Sequence, residues 1–202
     1  MKIFKENSYD IVRLYINQLG IMIFSSLLYT PVFSMENTKL SSLLSILISV
    51  LSVSFYLALI YYAMWEIGAK DKIRIDGGKM QPCKPKGLVM GLYANVPNLI
   101  LGLGTIISLC VLFANNSNGA NISFIIFNNL MRFSESMFMG IINAIFPVSE
   151  AISLTDMATY GNYLPAAIMF TLLPLVSVAV THFAYYLGTK EKKLFSLISG
   201  KK

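Results

Sequence analysis

Arg132 and Glu135 stand three residues apart inside the apolar stretch NISFIIFNNLMRFSESMFMGIINAIFP, residues 121–147. At that spacing they are neighbours on a helix and can pair. Asn128, Asn129, Ser136 and Asn143 fall with them on one narrow stripe of a helical wheel. Charged groups at membrane depth are expensive and mark functional sites by default. Asn128, Arg132 and Glu135 are therefore candidates for binding a ligand. On a surface helix the same residues would simply be solvated, so depth decides between the two readings.

The tetrapeptide NVPN, 95–98, offers a second polar element. Pro97 deletes a backbone donor and frees a carbonyl, which in a membrane span must be met by protein or water. Asn95 and Asn98 are ligand candidates on that ground. Kinked packing is the competing expectation, since proline is common in membrane spans. Pro174 poses the same choice. Ser42, Ser45, Ser49 and Ser52 recur at spacings of three and four, with Thr38 and Tyr56 extending the series. Small hydroxyl residues on one face let helices approach and bond across or back to the i−4 carbonyl. Helix packing is expected of them rather than a polar conduction lining. His182, the one histidine, has no metal-ligating neighbours by spacing, and a hydrogen-bonded place in the bundle is expected rather than a metal site or proton relay.

Motifs for catalysis are missing. The chain contains no HExxH, GxSxG, GxxxxGK[ST] or CxxC, and no serine has a histidine at a spacing that suggests activation. Neither enzyme activity nor a cofactor is expected.

The elements that must position these residues follow from composition. Of 202 residues 55% are hydrophobic and 13% charged, against about 25% charged in soluble domains. No charge occurs in 14–35, 40–65, 87–131 or 157–189, and a helix crosses a bilayer core with about 20 apolar residues. The fold class read from this is an all-α polytopic membrane protein, with spans near 14–34, 41–65, 88–113 and 163–188 arranged as two hairpins. The acids in MKIFKENSYDIVR and the absence of a small-residue cleavage site imply that the first span stays attached.

All but Lys39 and Arg132 of the sixteen basic residues lie in three clusters: before the first span, between Lys70 and Lys86, and from Lys190 onward. Basic residues in short loops stay cytoplasmic, which places both termini and the central loop inside a multi-pass cell membrane. The net charge of +6 thus serves topology and the lipid bilayer, not nucleic acid. Abundant Lys, Ile, Asn, Phe and Tyr match AT-rich codons and point to a bacterial inner membrane. Cys83 and Cys110 are expected as free thiols, on different compartments. Glu66, at an unfavourable helix end, calls for Lys70 as partner. The loop IRIDGGKMQPCKPKG should turn at Asp76-Gly77-Gly78. Setting the topology is its expected role, ahead of attracting anionic headgroups.

Segment 121–147 is left between two outward ends. A full crossing would export the terminal lysines, so a re-entrant or interfacial amphipathic segment is expected. Two echoes join the halves: LYIN at 14–17 with LYAN at 92–95, and IGAKDK at 67–72 with LGTKEK at 187–192. They fit a duplicated hairpin within a single membrane domain, 1–86 and 87–202, the second half carrying an insert at 121–162. Convergence of two inward helices that end in aromatics, glycine and lysines fits them equally. Duplication is common in transporters. The expected function is therefore transport-related, a permease or a transporter's membrane subunit working as a homo-oligomer or with other membrane subunits. A non-transporting scaffold, assembly or self-protection factor is the alternative.

Overall fold

Each long apolar stretch is helical, and the helices reach beyond it. The computed structural model describes residues 2–35, 38–115, 118–147 and 163–192; the terminal lysines from Lys193 on and 148–162 of the expected insert lie outside them. A short α1 (Lys2–Glu6) leads into α2 (Ser8–Phe33), α3 (Thr38–Asp76) and α4 (Lys86–Asn115). Helices α5 (Asn118–Ser134) and α6 (Met139–Ile145) flank a 3-10 turn at Ser136–Phe138, and α7 (Tyr163–Leu172) and α8 (Pro174–Thr189) follow. No strand occurs among the described residues. Four stretches, Ser8–Phe33, Thr38–Asp76, Lys86–Ala114 and Tyr163–Thr189, are long and apolar enough to cross a membrane. The protein is an all-α polytopic membrane protein. Leu27, Leu43 and Ile107 stand more than half exposed on these helices, a surface suited to lipid tails rather than water.

Two expected boundaries move. Helix α3 has 39 residues, about 58 Å at 1.5 Å per residue, roughly twice a hydrocarbon core. It runs past Trp65 to Asp76, so the first part of the expected basic loop is helical. The extension is laced by i,i+4 pairs, Lys70–Glu66 at 2.7 Å and Lys72–Asp76 at 2.5 Å, which support an exposed helix. It ends where expected, at Gly77-Gly78. Gly78 takes a φ of 68°, its N–H donates to Ile75 O at 3.0 Å and the Lys79 N–H to Arg74 O at 2.9 Å, the paired bonds of a Schellman stop. The last span, in contrast, is split between α7 and α8 just before Pro174, which has no N–H to continue the ladder. Pro97 leaves α4 continuous. Of the two interruptions expected at prolines, one forms.

The chain has two compact units. One comprises Met1–Asn17, Phe55–Asn95 and Leu175–Lys202, and so gathers α1, the start of α2, the second half of α3, the start of α4 and all of α8 but Pro174. Here the glycines of the repeated hexapeptide meet each other. A Cβ on Gly68 would lie 3.0 Å from Gly188 Cα and collide with the Tyr185 carbonyl, while a Cβ on Gly188 would lie 3.0 Å from Gly68 Cα and collide with that of Trp65. One helix crossing demands glycine on both partners. The rest of the echo parts ways: α8 stops at Thr189 whereas α3 continues, and Leu14 is buried where Leu92 is exposed. The stop of α8 also uses Schellman bonds, Glu191 N–H to Gly188 O at 3.0 Å and Lys192 N–H to Leu187 O at 3.1 Å, with Glu191 at a φ of 55°. Trp65 Nε1 then donates to Lys192 O at 2.8 Å.

The other unit comprises Gln18–Ser54 and Val96–Pro174. The end of α2 and the start of α3 pack through Tyr29, Val32 and Ile48. Leu109, Leu112 and Phe124 gather with Tyr163, whose ring meets Phe124 edge-on at 5.6 Å.

Candidate functional site

Ser134 ends α5, and Glu135, at φ −115° and ψ 29°, opens the 3-10 turn that leads into α6. The segment 118–145 is therefore two helices joined by a break, not one straight helix. Arg132 Nη2 donates to Asn143 Oδ1 at 2.6 Å across eleven residues of sequence. On a straight helix those positions would stand about 16 Å apart, beyond the reach of both side chains. The break folds α6 back so that they meet.

This geometry corrects the single polar stripe drawn from periodicity. Asn128 is buried, but Asn129 is exposed, and Arg132 turns to Asn143. No ion pair joins Arg132 to Glu135 among the described residues, and both Glu135 carboxyl oxygens lack a hydrogen-bond partner. Glu135 is nevertheless only 1% exposed. Beside it in sequence, Ser134 Oγ donates to Asn98 Oδ1 at 2.6 Å, which ties the break to α4, while Asn98 Nδ2 is buried without an acceptor. Asn98 and Ser134 thus form a buried pair beside Glu135 in sequence, with polar capacity to spare at Asn98 Nδ2 and at the Glu135 carboxyl.

Hydroxyls hold the break in place. The Ser136 hydroxyl lies 2.7 Å from that of Ser25 and donates to Met22 O at 3.0 Å. At the start of α6, the Gly140 N–H donates to Ser49 Oγ at 2.8 Å and to Tyr29 Oη at 2.9 Å. Tyr29 and Ser49 are themselves 2.6 Å apart. A Cβ at Gly140 would collide with the Ser45 carbonyl, so glycine is required for α6 to sit this close to α3. Part of the serine series does the packing expected of it. Ser49 and Ser52 are buried and Ser45 is half-buried, but Ser42 is exposed. Ser42 lies two turns before Ser49, on the same face but near the start of α3.

Asn95 is the remaining expected ligand residue, and both polar atoms of its side chain are bonded within the protein. Its Nδ2 donates to Gly91 O at 2.9 Å and its Oδ1 accepts from Ser177 Oγ at 3.2 Å. It continues a close seam between α4 and α8, where a Cβ at Gly87 would come 2.7 Å from Tyr185 Cβ and one at Gly91 would collide with Thr181 Oγ1. Backbone approach of this kind is the usual role of small residues four apart in membrane helices. The spacing Gly87-x-x-x-Gly91 was readable in the sequence.

A charged cluster escaped the sequence reading altogether. Asp71 and Lys86, 1% and 4% exposed, pair at 2.6 Å, and Tyr185 Oη donates to Asp71 Oδ2 at 3.0 Å. Helices α3, α4 and α8 are tied at one point. Asp71 thus has the partners that Glu135 lacks. Glu66 bonds Lys70 as expected, with Arg13 a further 3.7 Å neighbour. His182, half-buried, has no partner at Nδ1, against the hydrogen-bonded role expected, and lines a cavity described below. Among the described residues no cluster of His, Cys, Asp and Glu could hold a metal ion.

No protein-family model matches the chain, and no curated protein or solved structure matches it either.

Proposed function

We propose that the protein is a small transport-related membrane protein, acting as a homo-oligomer or as a membrane subunit of a larger transporter, in which the broken α5–α6 pair handles a cation at Glu135. The observation that carries this reading is a carboxyl 1% exposed with no hydrogen-bond donor on either oxygen. Burying such a group unpaired costs several kcal/mol, on the order of one lost core side chain or more. Structures tolerate that cost mainly where the group works. Ser134, next to Glu135 in sequence, and Asn98 bring a hydroxyl and an amide to the same break, and carboxylate and carbonyl oxygens suit hard cations. A helix broken at depth is tolerated only where protein or a water-lined cavity meets its freed backbone groups, and discontinuous helices are the usual place for coupling-ion sites in transporters.

Orientation belongs to the same proposal. The basic clusters lie on α1 and the start of α2, on the end of α3 and the loop after it, and beyond the end of α8, and these segments fall in one compact unit. Positive charge in short loops places that unit, and both chain ends, on the cytoplasmic side. The segment 118–145 then enters from the outer side and returns to it.

Reconstitution tests the reading. Purified protein in liposomes with an internal pH dye, under an imposed potassium diffusion potential, should pass protons faster than empty vesicles, or sodium in parallel flux assays. Glu135→Gln should lower that flux at least tenfold, while Lys39→Ala, at an exposed position, should leave it unchanged. Wild-type vesicles indistinguishable from empty ones for H⁺, Na⁺ and K⁺ would reject transport of these ions and leave the role of a scaffold, assembly or self-protection factor.

A further inference from the structure

Between the ends of α3 and α8 and the loop before α4 lies a cavity of about 590 Å³, whose wall includes Lys72, Lys84, Lys190, His182 and Tyr186. This volume falls within the usual range for small-molecule sites, about 300–1,000 Å³. Three lysines and a histidine thus line it. Lys72 is committed to Asp76, at 2.5 and 2.6 Å. Lys84 and Lys190 make no salt bridge among the described residues. Lys190 follows the C-terminus of α8, where a cation is favourable towards the helix dipole, but Lys84 precedes the N-terminus of α4, where it is not. Lys86, equally misplaced, is compensated by Asp71. Nothing comparable compensates Lys84, and an anion in the cavity would do so.

The remaining walls favour an amphiphile. Ile75, Pro82 and the Tyr186 ring line the same space, and Tyr186 stands at the end of the apolar stretch of α8. Aromatic rings with one wet edge are typical of the headgroup level. Basic pockets between transmembrane helices take phosphate headgroups, and lysines, as compact point charges on long stems, can close on a phosphate from several sides. We infer that this cavity binds a phosphate-bearing anion, with Lys84 and Lys190 as its principal ligands. Lipid phosphate and soluble phosphate share that chemistry. This inference does not depend on the role of Glu135.

Binding is measured on the full chain in neutral-detergent micelles or neutral-lipid nanodiscs, titrated with a phosphatidylglycerol-type lipid in one arm and inorganic phosphate in the other. Saturable binding in either arm is expected, and the arm that saturates identifies the source. The double variant Lys84→Ala with Lys190→Ala should bind roughly thirtyfold more weakly, at about fivefold per lysine, and the corresponding double arginine variant should restore most of the affinity. Both side chains are exposed, so folding is unaffected, which gel filtration verifies. Unchanged affinity in the double alanine variant, an equal loss in Lys39→Ala, or no saturation in either arm would each overturn the assignment.

Discussion

Asp71 and Lys86 are held by each other, so the worth of either depends on the presence of both. Removing one partner of a buried pair strands the other charge at a cost of about 3–5 kcal/mol, whereas replacing both by groups of similar shape is often close to neutral. Lys86→Met should therefore destabilise more than the double variant Asp71→Asn with Lys86→Met. Thermal unfolding of the four cycle members in detergent reads the difference. Equal stability of the single and double variants would mean that water reaches Asp71. Glu135 is the contrasting case, because its carboxyl has no partner to lose. Glu135→Gln removes a buried carboxyl without partners and should hold or raise stability while it lowers flux at least tenfold. That opposition between stability and activity separates a working group from a structural one.

Helix crossings set the second scale. Gly68 and Gly188 let α3 and α8 touch backbone to backbone, and a branched side chain at either position meets carbonyl oxygens that cannot yield. Gly68→Val and Gly188→Val should each lower stability by about 1–3 kcal/mol, as overpacking does. Gly20, where a Cβ would meet nothing within 4 Å, should accept valine at little more than the difference in helix propensity. Fluorescence-detected gel filtration after heating ranks the three, and a Gly20 variant as impaired as the others would contradict the crossing. At the start of α6, Ser49→Ala removes an acceptor from the Gly140 and Ile141 N–H groups. Loss of a cap costs about 1 kcal/mol, so amide exchange at Gly140 should speed up roughly fivefold while that in the middle of α4 stays unchanged.

Across the molecule, every described basic residue except Lys39 and Arg132 lies in segments that belong to one compact unit. If those lysines and arginines stay on the cytoplasmic side, reporter fusions after Lys86 and after Thr189 should both read cytoplasmic, and one between Asn115 and Asn118 should read external. An external reading after Thr189 would require a fifth crossing and would recast 118–145 as a span. The outcome for α5 and α6 thus follows from the distribution of charge over the whole chain rather than from their own sequence, which is apolar enough for either fate.

Local regularities in the sequence were sufficient for the helices, their approximate spans, the stop at Gly78 and the Glu66–Lys70 pair, because each depends on residues within a few positions of one another. The same holds for the close-packing use of Ser49 and Ser52, which spacing alone suggests. Long-range partners were not legible. Asp71 meets Lys86 across a turn and Tyr185 from a distant helix, and nothing in the spacing singles these three out of a lysine-rich loop. Periodicity carried the polar stripe straight through Glu135, since a helical wheel has no place for a break, and so it paired Arg132 with the wrong residue. Tertiary packing made that choice: Ser25, Tyr29 and Ser49 hold the chain after Glu135, turning Arg132 to Asn143 and leaving one carboxyl buried alone. Sequence determines what each segment prefers by itself, and only the fold decides which polar groups are satisfied, because a hydrogen bond needs its partner in space.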